Sequence, residues 1–137
     1  MSPTIPLVVH ATHEAGLKLG GIGAVLDGLL QSPAYHAAVR RTILAGPVNT
    51  WNAVEMERLF SPRNHLKVIY SNLWGHEANN GPEQIADGLG EIERQMGVRF
   101  LYGTRSFGDR EVEVLLVDAG AIAGEIINSY KFYLWQR

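Results

Sequence analysis

The sequence predicts an α/β fold, a three-layer, Rossmann-like domain with a mostly parallel sheet. Three observations carry this. Short apolar runs alternate with longer stretches whose apolar residues recur every three or four positions. The first run, Ile5 to Thr12, is apolar almost without a break, as in a strand covered on both faces. A glycine-rich turn then joins it directly to the first helical stretch, which is the order of a parallel strand–loop–helix unit.

Taken in order, Ile5 to Thr12 is the first strand, and Ile22, Val25, Leu26, Leu29 and Leu30 define the first helix. Arg40 to Ala45 reads as a second strand, broken by Gly46-Pro47 and followed by a helix over Thr50 to Phe60. His65 to Ser71 is the third strand. A polar loop, Asn72 to Gly81, ends in the turn signal Asn79-Asn80-Gly81-Pro82. Pro82 suits the first turn of a helix running to about Met96, where Ile85, Leu89, Ile92 and Met96 share one face. Val98 to Tyr102 and Val112 to Val117 are two further strands, compatible with a hairpin turning near Phe107-Gly108-Asp109-Arg110. A last helix is expected from about Ala119 onward. Its residues Ile126, Ile127, Tyr130, Phe132, Tyr133, Leu134 and Trp135 call for cover on more than one face, deep in the domain or from absent chain or a second subunit.

The chain has 137 residues, 46% of them hydrophobic, so residues 1–137 form one domain with a core of ordinary size. It contains no cysteine, which excludes disulfides, thiol nucleophiles and thiolate metal sites and is compatible with a reducing cytosol. Twelve basic and fourteen acidic residues leave a net charge of −2, so no basic face for nucleic acid is indicated. No targeting segment or run of about 20 apolar residues is present. A cytoplasmic protein is therefore expected, without nucleic-acid or membrane partners.

In parallel α/β folds ligands gather at the carboxyl ends of the strands. Here that points to the loops His13 to Gly21, Gly46 to Asn49 and Asn72 to Gly81. The first is the most informative: Gly20 and Gly21 let the backbone approach a ligand, the amides of the following helix offer an anion site, and Lys18 adds a mobile cation. This suits a phosphate or diphosphate. The phosphate loop GxxxxGK[ST] is absent, and GxGxxG is incomplete because Leu26 stands at its third glycine. The glycines can equally serve helix–strand packing.

Lys18-Leu19-Gly20-Gly21-Ile22 resembles the K-x-G-G-[LI] loop of glycogen and starch synthases and related retaining glycosyltransferases. Glu14, four residues before the lysine, is similar to the W-E-x-x-x-K-x-G-G-I form, with His13 in the place of the tryptophan. Leu44-Ala45-Gly46-Pro47 resembles the end of that family's second strand, and Tyr102-Gly103 through Asp118 resembles a later segment. The resemblance implies one half of a two-domain GT-B architecture, the amino-terminal, acceptor-side half, with the nucleotide-binding half absent. It implies transfer of a hexose from ADP- or UDP-glucose to a carbohydrate acceptor. Lys18, Gly20 and Gly21 would contact the nucleotide sugar's diphosphate, where amides and a cation stabilise the leaving group.

His13, Glu14, Asn49 and His76 are candidate cleft or acceptor contacts, with Trp74 beside His76 as a surface for a sugar ring. His10 and His13 lie three apart and point to opposite faces of a strand, so no metal site is assigned, and no cofactor is implied. Glu55, Glu57, Glu91, Glu93, Glu111 and Glu113 are spaced as solvent-facing residues, and no catalytic residue is assigned. Three readings stand: part of a glycosyltransferase that is inactive alone, a free-standing anion- or nucleotide-binding regulatory module, and a small hydrolase using His13 and Glu14.

Overall fold

A computed structural model describes residues 3–119, and the expected last helix lies, apart from Ala119, outside the described residues. The strands are β1 (Val8–Ala11), β2 (Thr42–Pro47), β3 (Leu66–Ser71), β4 (Ala78–Asn79), β5 (Arg99–Phe107) and β6 (Arg110–Asp118). The helices are α1 (Gly21–Leu30), α2 (Pro33–Ala38), α3 (Ala53–Leu59) and α4 (Glu83–Met96). A 3-10 turn, Pro62–Asn64, precedes β3.

The six strands form one sheet in the order β1-β2-β6-β5-β3-β4. Only β1/β2 and β2/β6 pair in parallel. The pairs β3/β4, β3/β5 and β5/β6 are antiparallel. The expected three-layer Rossmann-like domain with a mostly parallel sheet is therefore corrected: this is a small mixed α/β domain whose sheet is mostly antiparallel. The cause is local. β5 and β6 are joined by Gly108-Asp109 and pair without interruption from Arg99↔Asp118 to Phe107↔Arg110, and a two-residue connection permits only antiparallel strands. Gly108 adopts φ 63°, the positive value favoured at the first central position of such a turn. This hairpin sits at the centre of the sheet, so its direction dominates the pairing.

One face of the sheet carries α1, α2 and α3. Leu44, Leu101, Val114 and Leu116 meet Leu26, Leu30, Met56 and Leu59 there in a continuous apolar core. On the opposite face α4 is tied to the sheet by Glu93. Its buried carboxylate accepts hydrogen bonds from the Tyr70 hydroxyl and, at 3.0 Å, from the Phe100 amide. Pro82 stands one residue ahead of α4 as its N-cap, and Gly97 closes the helix at φ 69°. No helix among the described residues is long and apolar enough to cross a membrane.

Strand direction places the candidate loops. β3 lies two antiparallel steps from β6, so β1, β2, β6 and β3 all run the same way although they do not all adjoin. The segments that follow β1, β2 and β3 therefore emerge at one edge of the sheet.

Candidate functional site

The glycine loop after β1 is organised around an anion that belongs to the chain. The Glu14 carboxylate accepts hydrogen bonds from the amides of Leu19 at 2.5 Å, of Gly20, and of Gly23 at 2.9 Å. The residue is only 8% exposed. Burial pushes its pKa up, but the amides of Leu19, Gly20, Gly23 and Ile22 outweigh that and hold it below the ordinary carboxylate value. Gly23 is required here, because a Cβ would lie 2.7 Å from Glu14 Oε1 and 2.9 Å from Lys18 Cγ. A Cβ on Gly20 or Gly21 would meet nothing within 4 Å. Lys18 is exposed, with Nζ 4.0 Å from Asp27. The residues expected to cradle a diphosphate are thus adjacent, but the amides of Gly20 and its neighbours are engaged by Glu14.

Beneath this loop lies a cavity of about 460 Å³ between α1, the segment from Arg58 to His65, and the end of β5. Its ionic lining is Lys18, Arg58, Arg63 and Arg105 against Glu14 and Asp27. One wall is fixed by Asn64, whose Nδ2 donates to the carbonyls of Gly16 at 2.7 Å and Leu59 at 2.9 Å.

Arg105 is the unusual member. It points inward from β5 and is 7% exposed. Nη1 donates to the carbonyl of Ala15 at 2.7 Å and of Glu14 at 3.5 Å, Nε has no hydrogen-bond partner among the described residues, and the guanidinium carbon stands 4.9 Å from the Phe107 ring centroid. Among the described residues no carboxylate forms an ion pair with it. Desolvation lowers its pKa from the ordinary arginine value, and the charge of Asp27 opposes that shift.

A second cluster occupies the strand-end edge. Trp51 and Trp74 are 74% and 60% exposed, with ring centroids 6.5 Å apart and planes inclined by 32°. His76 stacks on Phe60 at 4.5 Å. Asn49 Oδ1 accepts from the Trp51 amide at 3.1 Å and so shapes the turn that presents that indole. Thr50 donates to Asp118 and pins the same turn to the end of β6. The structure therefore brings Asn49, Trp74 and His76 to one edge of the sheet.

His13 is exposed at the end of β1, while His10 hydrogen-bonds the Tyr35 hydroxyl at 3.0 Å. Glu14 holds amides and not His13. Glu93 and Glu113 depart from the solvent-facing expectation: each holds a tyrosine hydroxyl, Tyr70 and Tyr102 respectively.

Sequence reasoning passed over Arg58, Arg63 and Arg105. The signal for Arg105 was its place in the inward series Leu101, Gly103, Arg105, Phe107, where a charged residue interrupts an apolar register. Comparison with protein-family models, curated proteins and solved structures finds no match to this chain. The likeness of Lys18 to Ile22 to the synthase loop stands on those residues themselves.

Proposed function

We propose that the protein is a binding module for an anionic small molecule, held without catalysis in the cavity beneath the glycine loop. The observation that carries this is the charge of the lining: four cationic side chains converge on one concave site against two carboxylates, one of which is already bonded to loop amides. A pocket with this excess attracts phosphate or carboxylate groups and raises their local concentration. Glu14, held ionised by its amide donors, is not placed to act as a general acid. The resemblance of the Lys18 loop makes nucleoside diphosphates the first ligands to try. Calorimetry with pyrophosphate, ADP, UDP and the two glucose conjugates tests the reading. Binding that weakens about tenfold, or by ~1.4 kcal/mol, in an Arg58→Ala/Arg63→Ala variant is expected. Dissociation constants all weaker than about 1 mM, ~−4 kcal/mol, would remove it.

A second reading is favoured by the Trp51–Trp74 pair. Two exposed indoles at the strand-end edge offer flat apolar faces to a hexose, as an amino-terminal part of a glycosyltransferase would need beside its diphosphate site. The same calorimetry separates the two. Glucose conjugates that bind more tightly than the free diphosphates, with a change in tryptophan fluorescence, support hexose recognition. Equal affinities exclude it.

A further inference from the structure

We infer that the oxyanion of the ligand is taken by the Nε–Nη2 edge of Arg105 and not by the glycine loop, which makes Arg105 the specificity-determining residue of the cavity. The inference rests on the anion-binding reading above and locates its contact.

Arg105 is a buried residue, 7% exposed, and burying its charge carries a desolvation cost that an unpaired charge does not recover. Long cationic side chains ordinarily avoid this by extending their charge to water. Arg105 does not. Its Nη1 side is committed to two main-chain carbonyls, which hold the group in place and supply no negative charge. Nε has no acceptor. Nη2 makes no hydrogen bond to the described residues either, so the Nε–Nη2 edge of the fork has no acceptor there, and Nε is the one buried side-chain polar atom among the described residues without a partner. Phe107 lies over the guanidinium and directs an incoming group to the plane of the fork.

That edge matches one chemistry, two oxygens on a single atom, accepted side by side. A phosphate monoester and a carboxylate both present it. The alternative anchor is closed: the amides of Leu19, Gly20 and Gly23 already hold the Glu14 carboxylate, and a ligand anion would have to evict a tethered competitor. The rim cations Lys18, Arg58 and Arg63 are exposed. Charges of that kind speed encounter more than they select.

The test is a titration of the isotopically labelled chain with inorganic phosphate and, separately, acetate, following the Arg105 side-chain Nε–H resonance, assigned by its disappearance in Arg105→Lys. A saturable shift of that resonance with phosphate is expected, and a shift with acetate as well would show that the site reads the oxyanion and not phosphorus. Arg105→Lys keeps the charge and removes the fork, and should weaken phosphate about tenfold, one charge-assisted bond. Lys18→Ala should weaken it less than about threefold, as a rim charge does. Phosphate that binds while the Nε resonance stays still, with wild-type affinity in Arg105→Lys, overturns the role of Arg105 and leaves the binding module intact. No shift anywhere in the spectrum with either probe overturns both. Should Arg105→Lys fail to fold, the resonance is assigned in the wild-type chain by through-bond correlation from the Arg105 backbone amide to its side-chain Nε–H, and its response to phosphate decides.

Discussion

Glu14 and Arg105 act on the two sides of one short stretch of backbone. The carboxylate gathers the amides that follow it, and the guanidinium takes the carbonyls of Glu14 and Ala15. The loop is thereby fixed from both directions, and Gly23 is the residue that gives the carboxylate room. Two glycines of α1 consequently respond in opposite ways to the same substitution. Gly23→Ala drives a Cβ to within 2.7 Å of Glu14 Oε1 and 3.1 Å of the Lys18 Cα, where backbone cannot yield, and should cost about 1–3 kcal/mol. Gly28→Ala meets nothing within 4 Å and should gain about 0.4–1 kcal/mol by restricting the unfolded chain. Urea denaturation of the two variants measures both signs, and amide hydrogen exchange at Leu19 and Gly20 should accelerate only in Gly23→Ala. Equal effects at the two positions would mean that the carboxylate does not organise this loop.

α1 shows how far an apolar period can be read. Ile22, Val25, Leu26, Leu29 and Leu30 correctly place a helix, yet their apolar arc is wider than the face that packs, and periodicity alone does not say which part of it meets the core. Burial separates them: Leu26 and Leu30 are 7% and 0% exposed, Ile22 and Val25 59% and 70%. Leu26→Ala should therefore cost about 2–5 kcal/mol, whereas Val25→Ala should stay within about 0.5 kcal/mol. The comparison is made by denaturant midpoint at constant slope, and a comparable loss in both variants would place Val25 against a partner surface. Other elements were legible for equally specific reasons. β1, β2, β3, α3 and α4 fall on the expected runs with shifted ends, and the β5–β6 turn falls on Gly108-Asp109. The short helix α2 and the two-residue strand β4 match no expected element, and two further features were hidden. β5 was cut short at Tyr102 because Gly103 and Arg105 break its apolar alternation. Gly103 is there because a Cβ would lie 2.2 Å from the Lys67 carbonyl, beside the irregular pairing between Val68 and Tyr70. Arg105, inward and charged, is the candidate ligand contact, so the residue that spoiled the strand pattern is the one the site most needs. The order of strands was hidden as well, since alternating strands and helices fix neither which strands pair nor in which direction.

At the scale of the molecule, the face opposite the main core is held by phenol–carboxylate links. Glu113 accepts from Tyr102 and takes a two-pronged bond from Arg41 at 2.6 and 2.7 Å, joining β5 and β6 to the segment leading into β2. Glu93 accepts from Tyr70 and so joins α4 to β3. The second link makes alkaline stability a readout of the whole assembly. Burial first, then the hydrogen bond to Glu93 and its charge, push the Tyr70 phenol up to about 12 from an ordinary value of 10.0. Its folded pKa lies above its unfolded one, so the folded state holds the proton more tightly. The stability this confers is fully present below pH 10 and is lost as pH rises from there through about 12. The free energy of unfolding should accordingly begin to fall above pH 10, and in Tyr70→Phe that part of the slope should vanish. At neutral pH the same variant should be less stable by about 1–3 kcal/mol, because the buried Glu93 carboxylate loses one of its two donors. Urea midpoints across pH 8 to 12, about two units either side of the ordinary tyrosine value, together with tyrosinate absorbance, give both quantities. An unaltered alkaline slope in Tyr70→Phe would show that α4 is held to the sheet by packing and not through this phenol.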